Sequence, residues 1–220
     1  MKIEKNYLKG SPFIGIFSCI TEKIGLLPLY TEKKEVQRTE EFFEIEVIQT
    51  SIAGSSLIGS LVKGNNKGFI LPETADDKEI KFLEEKGIKV KKIKGLTALG
   101  NLVGLNDFGG IVSPLIQKKS FEEIKKFFGI PLKQMTLGNS EVVGSCLLAT
   151  NKGFIVHPEI KEKELKEIES ILKVQGNPST ANYGDPFVAN DILANSKGIL
   201  IGEYTSNIEM LMIDEGLRGD

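Results

Sequence analysis

Ile58-Gly59-Ser60-Leu61-Val62-Lys63-Gly64-Asn65-Asn66-Lys67-Gly68-Phe69-Ile70 lies without a gap over Val143-Gly144-Ser145-Cys146-Leu147-Leu148-Ala149-Thr150-Asn151-Lys152-Gly153-Phe154-Ile155. Val188-Ala189-Asn190-Asp191-Ile192-Leu193-Ala194-Asn195-Ser196-Lys197-Gly198-Ile199-Leu200 falls on the same register. Weaker copies start at Ile14-Gly15 and at Val103-Gly104, so the starts at 14, 58, 103, 143 and 188 stand 44, 45, 40 and 45 residues apart. Self-similarity at such a period marks an array of one supersecondary unit.

The second copy shows what the unit contains. Leu57 to Val62 and Gly68 to Leu71 are two short apolar runs, predicted as strands, and the residues between them suit a hairpin loop. Pro72 has no N–H to continue a ladder. Charged residues from Asp76 onward carry Ile80 and Leu83 on one helical face, and Gly87 is a natural helix stop. Ile88 to Ile93 alternates apolar residues with lysine, which reads as a third strand. The unit is therefore strand, strand, helix, strand. Ser120 with Glu123 and Ser206 with Glu209 have capping-box spacing, and residues 159–172 form a charged helix with Leu165, Ile168 and Leu172 on one face. The fifth copy ends without room for its last strand, while residues 2–8 are a spare strand-like segment. The N-terminal segment is thus expected to complete the fifth unit and close a five-unit α+β ring. Closure also removes the exposed edges of an open array. The expected organisation is one ring over 1–220, with units near 1–54, 55–100, 101–140, 141–184 and 185–220.

Composition sets the limits on function. A hydrophobic share of 40% and a charged share of 26% are those of an ordinary globular chain. No run approaches a membrane span, and the charged start, Met1-Lys2-Ile3-Glu4-Lys5-Asn6, does not read as a signal peptide, so a cytoplasmic protein is expected. Net charge is −2, with 28 basic against 30 acidic residues, and Arg38 and Arg218 are the only arginines. That balance argues against wrapping nucleic acid through many phosphate contacts. Lys86, Lys89, Lys91, Lys92 and Lys94 read as a lysine-protected strand edge.

Catalytic chemistry is sparse. His157 is the only histidine, and its place before Pro158 at a strand end suits a local hydrogen-bonding role. Cys19 and Cys146 sit in apolar patterns as buried free thiols, and no phosphate-binding loop, nucleophile elbow or paired-cysteine metal motif is present. Lys67, Lys152 and Lys197 recur at equivalent hairpins, joined by Lys23, so a ring would place them on one basic rim. The third copy, with Asn106-Asp107-Phe108-Gly109-Gly110, has no lysine there and reads as shorter by about three residues. Asn106-Asp107 and Asn190-Asp191 put polar groups where an apolar strand is expected, and their side chains are read as lining the central channel.

Six stretches carry a family resemblance. They are Ser51-Ile52-Ala53-Gly54 with Ile58-Gly59, residues 96–101, Asn106-Asp107-Phe108, Val143-Gly144-Ser145, residues 151–158, and the block from Asn182 to Gly198. Together they span nearly the whole chain, which resembles the archaeal translation initiation factor six family. The resemblance implies a pentein-type ring of five units. It also implies a non-enzymatic factor, without metal or cofactor, that binds the large ribosomal subunit and prevents its association with the small one. The contact would lie beside a ribosomal protein near the sarcin–ricin loop and possibly rRNA, with a monomer as the binding species and no DNA or membrane partner. The candidate contacts are Ser60, Lys67, Asn101, Asn106, Asp107, Lys152, Asn190, Asp191 and Lys197. Guanidine-modifying enzymes share the pentein fold and are the competing reading; they would need His157 to converge with a cysteine.

Overall fold

The computed structural model describes residues 1–219 and contains five three-stranded sheets. Each sheet has one hairpin and one strand added in parallel beside its second arm. The first four are β2–β4 (Cys19–Ile20, Ile24–Pro28, Glu46–Thr50), β5–β7 (Lys63–Asn65, Gly68–Pro72, Val90–Ile93), β8–β10 (Val103–Leu105, Gly110–Val112, Leu132–Gln134) and β11–β13 (Leu147–Ala149, Gly153–Val156, Gln175–Pro178). The fifth takes β14 (Ile192–Ala194) and β15 (Gly198–Gly202), and its third strand is β1 (Lys2–Asn6), which runs parallel to β15 with Lys2 opposite Gly198. Arg38 ties this closing strand to the first unit by pairing with Glu4 at 2.8 Å. The architecture is the pentein-type pseudo-five-fold ring.

Five helices cover the sheets: α1 (Lys33–Phe43), α2 (Asp77–Glu85), α3 (Lys118–Phe128), α4 (Glu162–Leu172) and α5 (Asn207–Arg218). The capping boxes at Asp76 with Glu79 and at Ser206 with Glu209 form. Ser120 does not cap: α3 starts earlier, with Gln117 at its N-cap, and the Ser120 hydroxyl donates to the Lys94 carbonyl. Glu159, Ile160 and Lys161 precede α4 rather than opening it. None of the described helices is long and apolar enough to cross a membrane.

The apolar run from Leu57 to Val62 is not a strand. Ile58–Leu61 is a helical turn, because its buried positions, Ile58 and Val62, are four residues apart, a helical spacing rather than an alternation. Ile14–Ile16, Leu99–Leu102, Val143–Cys146 and Val188–Asn190 repeat this turn. Each packs on the next, and the fifth packs on the first. The third copy is therefore registered on Leu99-Gly100, not Val103-Gly104. Glycine is needed here: a Cβ on Gly59 would stand 1.8 Å from the Gly15 carbonyl oxygen, and one on Gly100 1.8 Å from that of Gly59. Gly144 meets Gly100 in the same way, and Gly15 meets Ala189.

No unit owns its core. Ile58 and Phe69 of the second unit share one cluster with Leu26, Ile48 and Ile52 of the first, and Ile155 of the fourth shares another with Ile199 and Ile213 of the fifth. Because the third strand parallels the second arm of the hairpin, every unit points its hairpin tip to one end of the ring and its exit turn to the other. We call these the tip face and the turn face.

Candidate functional site

The tip face is built from equivalent turns. Thr21, Asn65, Asn106, Thr150 and Asn195 each use a side-chain oxygen to accept a backbone N–H two residues ahead, which is turn chemistry. Asn106 is fully occupied: it also accepts from Gly109 N and donates to the carbonyls of Thr150 and Leu172. It is a buried staple between the third and fourth units, not a surface contact. On the corrected register the third tip has the same length as the others, and Phe108 simply takes the place of lysine.

The next residue along, Glu22, Asn66, Asp107, Asn151 or Ser196, joins a crown around the channel mouth. Asp107 accepts from Asn66 N, from the Asn66 side chain and from Asn151 Nδ2. Glu22 accepts from Asn151 N, Ser196 N and Ser196 Oγ. Asp107 is thus consumed in holding neighbouring tips together. Outside the crown come Lys67, Lys152 and Lys197, the last paired with Glu44 at 3.4 Å.

Between the crown and the glycine ring lies a cavity of about 60 Å³, lined in part by Cys19, Lys63, Asn101 and Asn190. Burial pushes the Lys63 ammonium down and the Cys19 thiol up. Asp191 does not line it. It follows the turn Val188–Asn190 with an αR backbone, is fully buried, and accepts instead from Asn182 Nδ2. The polar pair of the fifth unit is therefore divided, one residue inward and one outward.

The turn face has a different surface. All four tyrosines, Tyr7, Tyr30, Tyr183 and Tyr204, are exposed there, just past strand ends or in an exit turn. Tyr7 and Tyr204 pack edge to face with centroids 6.2 Å apart. Phe13, Leu29, Leu57, Leu115 and Ile208 are exposed at the same end. Nothing in the apolar patterning singles these residues out. The signal that was present is that Tyr30 and Tyr204 each stand two residues beyond the second hairpin arm.

A sequence profile described as the eIF-6 family matches residues 3–216. The chain belongs to the eIF-6 family. A protein named translation initiation factor 6 from Methanocaldococcus jannaschii is 38% identical over 98% of this chain and 97% of its own length. The namesakes from Methanococcus vannielii (40% identical, 98% of both chains) and Pyrococcus horikoshii (34%, 99% of both) agree with it. Two solved structures overlap part of the ring. An agmatine deiminase from C. jejuni has TM-score 0.40 and 15% identity, covering 58% of this chain and 49% of its own. A DDAH from Pseudomonas aeruginosa, a C249S mutant complexed with citrulline, has TM-score 0.45 and 12% identity, covering 94% and 73%. These likenesses are too slight to bear on function.

In this eIF-6 chain His157 and Cys146 are neighbours, His157 N donating to the Cys146 carbonyl at 2.9 Å, and the groups of the enzyme reading each have local surroundings of their own. Burial raises the Cys146 thiol, against a Ser140 hydrogen bond. The His157 ring lies beside Phe187, and its Nδ1 already accepts from Glu159 N. Cys19 belongs to the core between the first and second units. Among the described residues no cluster of three His, Cys, Asp or Glu could hold a metal. The lysines and Asp107 sit at the tip face, whereas Ser60, Asn101 and Asn190 sit in the inner turns, so the candidate contacts do not form one surface. Asn101 makes no side-chain hydrogen bond among the described residues, and its backbone N–H donates to Ala98.

Proposed function

We propose that this chain is a translation initiation factor that binds the large ribosomal subunit as a monomer and keeps the small subunit from joining it. No bond is made or broken; a rigid closed ring occupies space the other subunit needs. The observation that carries the reading, in a chain of the eIF-6 family, is the gathering of exposed aromatics at the turn face. Tyrosine supplies large contact area with a hydrogen-bonding end, and aromatic residues dominate interface energetics. With a net charge of −2, apolar and aromatic contact with ribosomal protein suits this chain better than phosphate-by-phosphate binding. Of the inner-turn residues, Asn101 and Asn190 line the central cavity and are set back from this face. The tip-face lysines, at the other end of the ring, contribute through salt-sensitive steering of the approach.

Cosedimentation tests this directly. The full chain should travel with isolated large subunits and leave small subunits unoccupied. Equal occupancy of both, or of neither, would defeat the proposal.

A further inference from the structure

One exit turn departs from the others. The bridges Leu8 to Ser11, Ile52 to Ser55 and Leu137 to Ser140 each enclose two residues of positive φ. The bridge from Ala181 to Asp185 encloses three: Asn182 at 45°, Tyr183 at 65° and Gly184 at 101°. The residues of that turn include a bulky aromatic in a left-handed conformation, which persists only where the surroundings impose it. Tyr183 is 82% exposed, so its ring is delivered to solvent rather than used in packing.

Two carboxyl groups impose the conformation. Glu209, in the first turn of α5, accepts from Thr180 Oγ1 at 2.7 Å, Gly184 N at 2.8 Å, Tyr183 N at 3.3 Å and Ser206 N at 2.7 Å. Burial pushes this carboxyl up, but hydrogen bonds from Ser206, Thr180 and Gly184 outweigh it and keep Glu209 ionised. Glu79 holds the turn at Ala53 and Gly54 in the same way.

The second support occurs in the fifth unit. Asn182 Nδ2 donates to Pro12 O and to Asp191 Oδ1. The Pro12 carbonyl can only accept, so the amide orientation is fixed, and Asn182 Oδ1 and Asp191 Oδ2 are left buried without a partner. The charged groups acting on Asp191 are Asp185 and Glu209, both carboxylates. A proton on Asp191 removes the like-charge conflict and spares its orphaned Oδ2 a buried, unsatisfied charge. Burial first, then Asp185 and Glu209, push this carboxyl up to about 8 against the Asn182 bond.

We propose that Tyr183 is an anchor of the turn face, and that Asp191, by holding a proton, and Glu209, by staying ionised, are the positioning residues that present it. This rests on the turn face being the ribosome-binding side. The sign is fixed: an unfolded aspartate titrates near 4. The support from the bound proton is therefore complete below about pH 4 and fades as pH climbs through about 8.

The test combines a carboxyl titration, amide exchange and subunit binding on the full chain. In wild type the Asp191 carboxyl should titrate near 8 by carbon NMR. Near pH 9.5 the Gly184 amide should exchange at least about 10-fold faster than in Asp191→Asn, with no difference near pH 6. Large-subunit binding should weaken several-fold over that range in wild type only, and Tyr183→Ala should weaken it about 10-fold or more at any pH. An Asp191 titration near 4, which needs no variant to observe, overturns the proton's role. Undiminished binding by Tyr183→Ala overturns the anchor. If wild type binds no subunit at any pH while the titration and exchange behave as stated, the turn-face reading fails and the proton-held turn stands.

Discussion

Gly59 is where the ring can be stressed most sharply with one methyl group. In Gly59→Ala the new Cβ would lie 1.8 Å from the Gly15 carbonyl oxygen and 2.6 Å from that of Ser18. Both obstacles are backbone, so no rotamer change relieves the clash. Relief requires moving the first unit away from the second, and closure passes that displacement to the remaining three. Overpacking a tight site costs about 1–3 kcal/mol, occasionally more. A backbone clash in a closed ring belongs at the upper end, about 3 kcal/mol. At about 2–4 °C per kcal/mol for a chain of this size, the melting temperature should fall by about 6–12 °C. Position 189, the equivalent place in the fifth unit, is already alanine, so Ala189→Gly is the control. It should cost no more than about 1 kcal/mol, the backbone-entropy difference between the two residues. Calorimetric melting of the full chain reads both. A Gly59→Ala melt within about 2 °C of wild type would refute the reasoning, because the inner turns would then be free to spread.

Two further outcomes follow from the same geometry. We propose that the shared cores make the ring one cooperative unit. Removing residues 1–6 strips β1 from β15 and takes Met1 and Ile3 from the cluster between the fourth and fifth units, and should destabilise the whole ring by about 3–5 kcal/mol. Melting at the wild-type temperature would contradict this. The two faces are separated by surface variants: Tyr7→Ala with Tyr204→Ala should weaken large-subunit binding about 10-fold or more, whereas changing Lys67, Lys152 and Lys197 to Ser should flatten the salt dependence with a smaller loss. The reverse ranking would put the interface on the tip face.

The ring was legible in the sequence because its tightest constraint falls on glycine. The recurring apolar-Gly pair is the ring of carbonyl contacts seen from within the chain, and the spare segment at the start is the missing fifth edge. The third register slipped because Leu99-Gly100 and Val103-Gly104 both offer the pair, and both Leu99 and Val103 are fully buried. Four residues is about one helical turn, so each choice keeps the apolar phase. The candidate contacts were less legible. Asn106 reads as a channel-lining candidate contact, but its side chain is spent on carbonyls 44 and 66 residues away. Asn190-Asp191 reads as a channel-lining pair, whereas Asp191, with an αR backbone after the turn, lies outside the cavity lining. The tyrosine surface is not legible locally, because exposure at a strand end depends on which end of the ring it faces, a property of the closed assembly and not of local pattern.

We propose that this ring keeps ribosomal subunits apart by occupancy alone. Light-scattering measurement of subunit joining, with the chain preloaded on large subunits at increasing ratio, tests it most directly. Joining should fall in proportion to the amount added and be abolished near one chain per large subunit, without further loss on prolonged incubation. Joining that proceeds unchanged at saturating occupancy, or inhibition that keeps growing with time at far lower amounts, would contradict the account.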